Sequence, residues 1–134
     1  IDLGKKRTAT FTYNRKIVMV STPTNKGASR IEAAYEESDQ RQYFVPCHDC
    51  GHKQVLKWAQ VRWEKDQPDT AAYVCEDCGS VWDDAVRYRA VRSGEWIAQN
   101  PTNKTAGFHL SGLYSPRTPL ADAAREFLVA KKSA

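Results

Sequence analysis

Cys47-His48-Asp49-Cys50-Gly51 and Cys75-Glu76-Asp77-Cys78-Gly79 repeat the pattern C-x-x-C-G, with 24 residues between Cys50 and Cys75, and together they use every cysteine of the chain. Two such knuckles facing each other present four thiolates in the tetrahedral arrangement zinc prefers. Each trailing glycine lets its turn curl so that backbone N–H groups face sulfur. Strand-like sequence precedes both knuckles, Gln42-Tyr43-Phe44-Val45 and Ala72-Tyr73-Val74, as in a zinc ribbon. The expected ligands are Cys47, Cys50, Cys75 and Cys78. A disulfide pair has no secretory feature to support it, and a redox C-x-x-C would occur once beside a thioredoxin-like pattern. Iron in a rubredoxin-like site uses the same ligand type, so spacing favours zinc without excluding iron.

Size explains why such a module needs a metal. Residues 43–100 are too few to bury a large core, although Trp58, Trp63, Trp82 and Trp96 suggest an aromatic cluster, and domains this small commonly need a staple. The zinc is therefore expected to be structural. His48 and His52 lie beside a tetrahedron that cysteines already fill, so they read as solvated or hydrogen-bonding side chains. His109, between Phe108 and Leu110, reads as one position of a half-exposed strand.

Charge is unevenly distributed. The chain carries 20 basic and 16 acidic residues, formally +4, but residues 1–30 hold seven basic residues against one acidic. Residues 43–100 hold seven basic and nine acidic residues, and a Zn²⁺ bound by four thiolates makes that region more negative still. Nonspecific affinity for nucleic acid depends on neutralising phosphates, so the ribbon is a poor DNA grip. Arg87, Arg89 and Arg92 read as a solvated helix face. The apolar run around Ile17 to Val20 is far short of a membrane span, and no signal-peptide pattern follows the basic start. The missing initiator Met suggests a segment of something longer.

Elsewhere the sequence alternates short elements. Ile17-Val18-Met19-Val20 is continuously apolar, the mark of a strand covered on both faces. Thr22-Pro23-Thr24-Asn25-Lys26-Gly27 ends it in a loop, and Ser29 with Glu32 opens a short helix at Arg30. A helix over residues 83–93 closed by Gly94, a strand over 95–98 and an alternating stretch over 107–114 follow. Thr118 and Pro119 then start a final helix whose Leu120, Ala124, Phe127 and Leu128 share one face. That face needs a partner, which this chain need not contain.

Ordered blocks along nearly the whole chain carry a resemblance. Ile17 to Thr24, Gly27-Ala28-Ser29-Arg30-Ile31-Glu32, Tyr43-Phe44-Val45-Pro46-Cys47, Tyr73-Val74-Cys75-Glu76, Gly107-Phe108-His109-Leu110-Ser111 and Leu113-Tyr114-Ser115-Pro116 resemble the lambda-type (GpA) large terminase subunits of tailed bacteriophages and prophages. Members of that family are ATP-driven motors that cut concatemeric viral DNA and package it into procapsids, with an N-terminal ATPase and a C-terminal metal-dependent nuclease. Two positions depart from the family pattern: His48 stands where Pro is frequent, and Arg117 where an aromatic follows Ser-Pro.

The resemblance implies an α+β chain in three parts. Residues 1–42 would close an α/β P-loop ATPase-like core, 43–100 would form the four-cysteine zinc ribbon, and 101–134 would be a strand-helix connector towards the nuclease. Ser21, Thr22 and Thr24 fall where the family places its coupling loop, which senses nucleotide phosphate. ATP and Mg are expected for the full-length parent only, as are double-stranded DNA, the small terminase subunit and the portal as partners, in the cytoplasm of a bacterial host. No G-x-x-x-x-G-K-[ST] and no paired nuclease acids occur, so neither ATP nor DNA hydrolysis is expected from this segment alone. The alternative reading is a stand-alone zinc ribbon that binds protein or nucleic acid.

Overall fold

The computed structural model describes residues 9, 14, 16–22 and 30–133. Strand β1 (Arg41–Pro46) is the hub of a four-stranded sheet. It pairs antiparallel with β2 (Lys53–Gln54) through Val45 and Pro46, and antiparallel with β6 (Glu95–Ala98) from Arg41 to Phe44. Strand β7 (Phe108–His109) joins it in parallel at Arg41 and Gln42. Consecutive Tyr43, Phe44 and Val45 suit a strand flanked on both edges.

The second sheet is an antiparallel run of β3 (Val61–Glu64), β4 (Gln67–Val74) and β5 (Val81–Trp82). Its first hairpin turns at Lys65 and Asp66, and Asp66 adopts the left-handed region that Asp tolerates better than most residues. The core between the elements comprises Val45, Leu56, Val61, Tyr73, Trp82, Ala90, Tyr114 and Leu120, with Tyr73 and Trp82 rings 5.1 Å apart.

Among the described residues, helices α1 (Arg30–Glu36), α2 (Asp84–Arg92) and α3 (Leu120–Ser133) frame these sheets. Helix α2 starts where its sequence says, with the Asp83 side chain accepting from the Val86 amide at 2.8 Å. Gly94 follows it because the chain must pass the ring of Tyr43: a Cβ there would lie 2.4 Å from Cε2. No helix among the described residues is long and apolar enough to cross a membrane.

Several expectations are corrected. Residues 16–22 form no strand, and Val18 and Val20 are 69% and 89% exposed. An apolar run becomes a covered strand only with neighbours to complete its ladder, and no described strand pairs with it. The four tryptophans do not cluster together. Trp82 is fully buried, Trp58 and Trp63 meet Phe127, and Trp96 meets Tyr43 and Phe108. Of residues 107–114 only Phe108 and His109 pair as a strand, and Gly112–Tyr114 form a 3-10 turn that carries Tyr114 into the core.

The final helix finds its partner within the chain. Leu120 and Ala124 are buried as α3 packs on β4, and Phe127 stacks beside Trp58 and Trp63 at 5.4 and 5.8 Å. Arg87 is the sharpest departure. It is 0% exposed, whereas Arg89 and Arg92 lie in solvent, because it shares its helix face with buried Ala90 three positions on.

Candidate metal centre

The two knuckles are built alike. In the first, the Cys47 amide donates to the His52 carbonyl at 3.0 Å and the Gly51 amide to the Cys47 carbonyl at 2.9 Å. In the second, the Cys75 amide donates to the Ser80 carbonyl at 2.9 Å and the Gly79 amide to the Cys75 carbonyl at 3.1 Å. Gly51 and Gly79 have φ of 74° and 75°, the left-handed conformation that closes each turn and that other residues adopt only with strain. The first knuckle leaves the end of β1 and the second leaves the end of β4, so the site lies where the two sheets meet.

The four sulfurs of Cys47, Cys50, Cys75 and Cys78 all lie within 4.8 Å of one another. Cys47 and Cys78 Sγ are 3.7 Å apart, and Cys50 and Cys75 Sγ 3.8 Å apart. A tetrahedron with zinc–sulfur bonds of about 2.3 Å has sulfurs about 3.8 Å apart, so the donor set fits such an ion. No disulfide joins them.

The thiols of the cluster titrate apart. Burial pushes the Cys75 thiol up, but N–H donors from Cys78, Gln54 and Asp77 outweigh it and bring Cys75 down to about 6. The Ser80 amide pulls Cys78 down, yet burial and the adjacent sulfurs win and push it up to about 12. Cys50 is raised as well, its amide donor from His52 outweighed by burial and the thiols around it. Four adjacent sulfurs cannot all ionise unless positive charge sits among them.

Around the sulfurs is a shell of donors. Gln54, 1% exposed, donates through Nε2 to Cys75 Sγ at 3.4 Å and accepts the Glu76 amide on Oε1 at 3.2 Å. The Asp77 amide donates to Cys75 Sγ at 3.4 Å. Ser80 Oγ donates to Asp49, linking one knuckle to the other. Glu76 bridges His52 Nε2 and Lys57 Nζ, both at 3.0 Å. His52 hydrogen-bonds Glu76 and so titrates above its ordinary value despite partial burial, while Glu76 is held below its own by His52 and, further, by Lys57. His48 is half-exposed beside Asp49 and Trp82. Neither histidine joins the sulfur cluster. Sequence reasoning missed Gln54, whose only signal is its position in β2, four residues after Cys50.

Comparison with known proteins gives the family of the chain. The profile of the family described as phage terminase large subunit gpA, ATPase domain, matches residues 1–96, through both knuckles and into β6. The chain belongs to the gpA family of phage terminase large subunits. The terminase large subunit of Enterobacteria phage P21 is 30% identical over 97% of the chain, and that of Escherichia phage lambda 28% identical over 96%. The chain spans 24% of the length of each of these terminase subunits. No solved structure matches it.

Within the terminase frame, the coupling-loop candidates are only partly in view. Ser21 and Thr22 are exposed, with Ser21 Oγ donating to the Thr22 carbonyl at 3.2 Å, while Thr24 and the rest of the loop through Ser29 lie outside the described residues.

Proposed function

We propose that this chain is the segment of a terminase large subunit in which a zinc ribbon braces the junction between an ATPase core and a nuclease. The parent would take part in ATP-driven cutting of viral DNA and its packaging into procapsids. The observation that carries the reading is that the terminase match runs through both C-x-x-C-G knuckles, whose four sulfurs have the separations of a tetrahedral metal site.

Cys47, Cys50, Cys75 and Cys78 would hold the ion, which supplies a cross-link between sheets and no bond-making chemistry. Its magnitude is sufficient. A core of this size rarely supplies more than about 3–5 kcal/mol, whereas structural zinc contributes on the order of 10–16 kcal/mol of apparent binding free energy. Folding of the ribbon would therefore follow metal loading.

Ser21, Thr22 and Thr24 remain the coupling-loop candidates, with ATP and Mg bound by other parts of the parent. Double-stranded DNA, the small terminase subunit and the portal are its proposed partners, in the host cytoplasm. The acidic balance of residues 43–100 favours bracing over DNA gripping.

Replacing Cys75 and Cys78 by Ser in the full-length protein tests the role. Loss of folding supports bracing. Retained folding and packaging, or retained folding with lost binding of one partner, contradicts it.

A further inference from the structure

Arg87 carries its charge into the protein and spends its donors on one stretch of backbone. Nη1 donates to the carbonyls of Leu113 and Ser115, the latter at 3.3 Å. Nη2 donates to the Thr118 carbonyl at 2.9 Å and to Asp84 Oδ1 at 3.1 Å. The same Asp84 oxygen accepts the amide of Leu120, the first residue of α3, at 3.2 Å, so one helix caps the start of another. The ring of Tyr88 covers the guanidinium at 4.7 Å.

A buried cation is tolerated only when its charge is well met by hydrogen bonds. Here Nη1 and Nη2 are met by the carbonyls of residues 113–118 and by Asp84, while Nε is buried without a partner among the described residues. Only a planar fork serves three carbonyls and a carboxylate together; a lysine ammonium does not. The helix bearing Arg87 is also continuous with the second knuckle: Cys78 leads through β5 to the Asp83 cap and into α2. On the other side of the strap, Tyr114 Oη donates to the Tyr43 carbonyl in β1, the strand that leads into the first knuckle. The strap is thus fastened to the chain leading out of one knuckle and to the strand leading into the other.

We propose that Arg87 is a latch that couples docking of the 113–118 strap and helix α3 to metal binding by the knuckles. The proposal rests on reading the four cysteines as a metal centre. Coupling of this kind is reciprocal: the factor by which a docked strap tightens the metal is the factor by which the metal tightens the strap. The metal-loaded ribbon would then give α3 a fixed direction, and strain on α3 would be felt at the sulfurs.

The test uses the whole chain, comparing wild type with Arg87→Met, Arg87→Lys and Asp84→Ala. Zinc affinity is read by competition with a chromophoric chelator, and amide hydrogen exchange is followed at saturating zinc. In Arg87→Met and Arg87→Lys, amides of residues 113–124 are expected to exchange at least about 10-fold faster while those of Cys47, Gly51, Cys75 and Gly79 keep their protection. Zinc affinity is expected to fall about 10-fold, within the usual range of coupling between sites. Asp84→Ala, which leaves Arg87 in place, is expected to show the same pattern at smaller amplitude, and it decides the matter if the Arg87 variants do not fold. Unchanged exchange in 113–124, or a freed strap with unchanged zinc affinity, overturns the latch. A wild-type chain that binds no zinc overturns the metal reading and the latch with it.

Discussion

The backbone amide of Gly107 donates to the Asp39 carboxylate at 2.9 Å, across 68 positions of sequence. Asp39 also accepts from Arg41 Nε at 2.8 Å, and its own amide and carbonyl are bonded to Thr105 and Asn100. One residue thereby fastens the 100–107 loop and sets β7 beside β1. The Gly107 amide, and then Arg41, outweigh the desolvation of the carboxyl and hold it below the usual carboxylate range. A depressed folded value means stability that is present above the unfolded value of about 4 and is lost as pH falls through the folded one. The urea midpoint of wild type should therefore exceed that of Asp39→Asn by a constant margin from pH 5 to 8, narrowing below about pH 4. A margin that does not change with pH would contradict the assignment.

Gly107 is required for space. A Cβ there would lie 1.9 Å from Ser38 Oγ and 2.6 Å from Ser38 Cβ, whereas at Gly112 it would meet nothing within 4 Å. Gly107→Ala should cost about 1–3 kcal/mol, the usual range for overpacking, and Gly112→Ala close to nothing. Equal urea midpoints for the two variants would refute this.

Tyr114 joins two segments through one hydroxyl, accepting the Leu56 amide at 3.0 Å and donating to the Tyr43 carbonyl at 2.7 Å. Tyr114→Phe keeps the ring and leaves the Leu56 amide unmet, so it should destabilise by about 1–3 kcal/mol. The check is chemical denaturation at saturating zinc; a loss under about 0.5 kcal/mol would mean water replaces the hydroxyl without penalty.

Gln54 touches both the metal cluster and the second knuckle's backbone, so its removal should act on the ion more than on the fold. Gln54→Ala is expected to weaken zinc binding about 10- to 100-fold, as is usual for residues that orient metal ligands. Competition titration with a chromophoric chelator measures this, and unchanged affinity would assign Gln54 to packing alone.

What was legible in the sequence was local. Both knuckles follow from cysteine and glycine spacing, β1 and β4 from aromatic and β-branched residues, and α2 from Asp83 and Gly94. What was hidden depends on contacts distant in the chain. Arg87 looks like Arg89 and Arg92 in sequence, and only the carbonyls of Leu113, Ser115 and Thr118 decide that it is buried. Asp84 caps α3 from another helix, 36 positions away, which no capping pattern around Thr118 reveals. The tryptophans divide among three sites because the elements that carry them, three strands and a 3-10 turn, face different neighbours. Residues 16–22 show the reverse, an apolar run whose pattern promises a strand that needs partners to form.

Metal content paired with near-UV circular dichroism of the purified chain, before and after chelation, tests the four-cysteine metal centre most directly. One zinc per chain is expected, bound by Cys47, Cys50, Cys75 and Cys78, with collapse of the signal from buried Trp82 and Tyr73 when the zinc is removed. An unchanged near-UV spectrum after complete metal removal would contradict it.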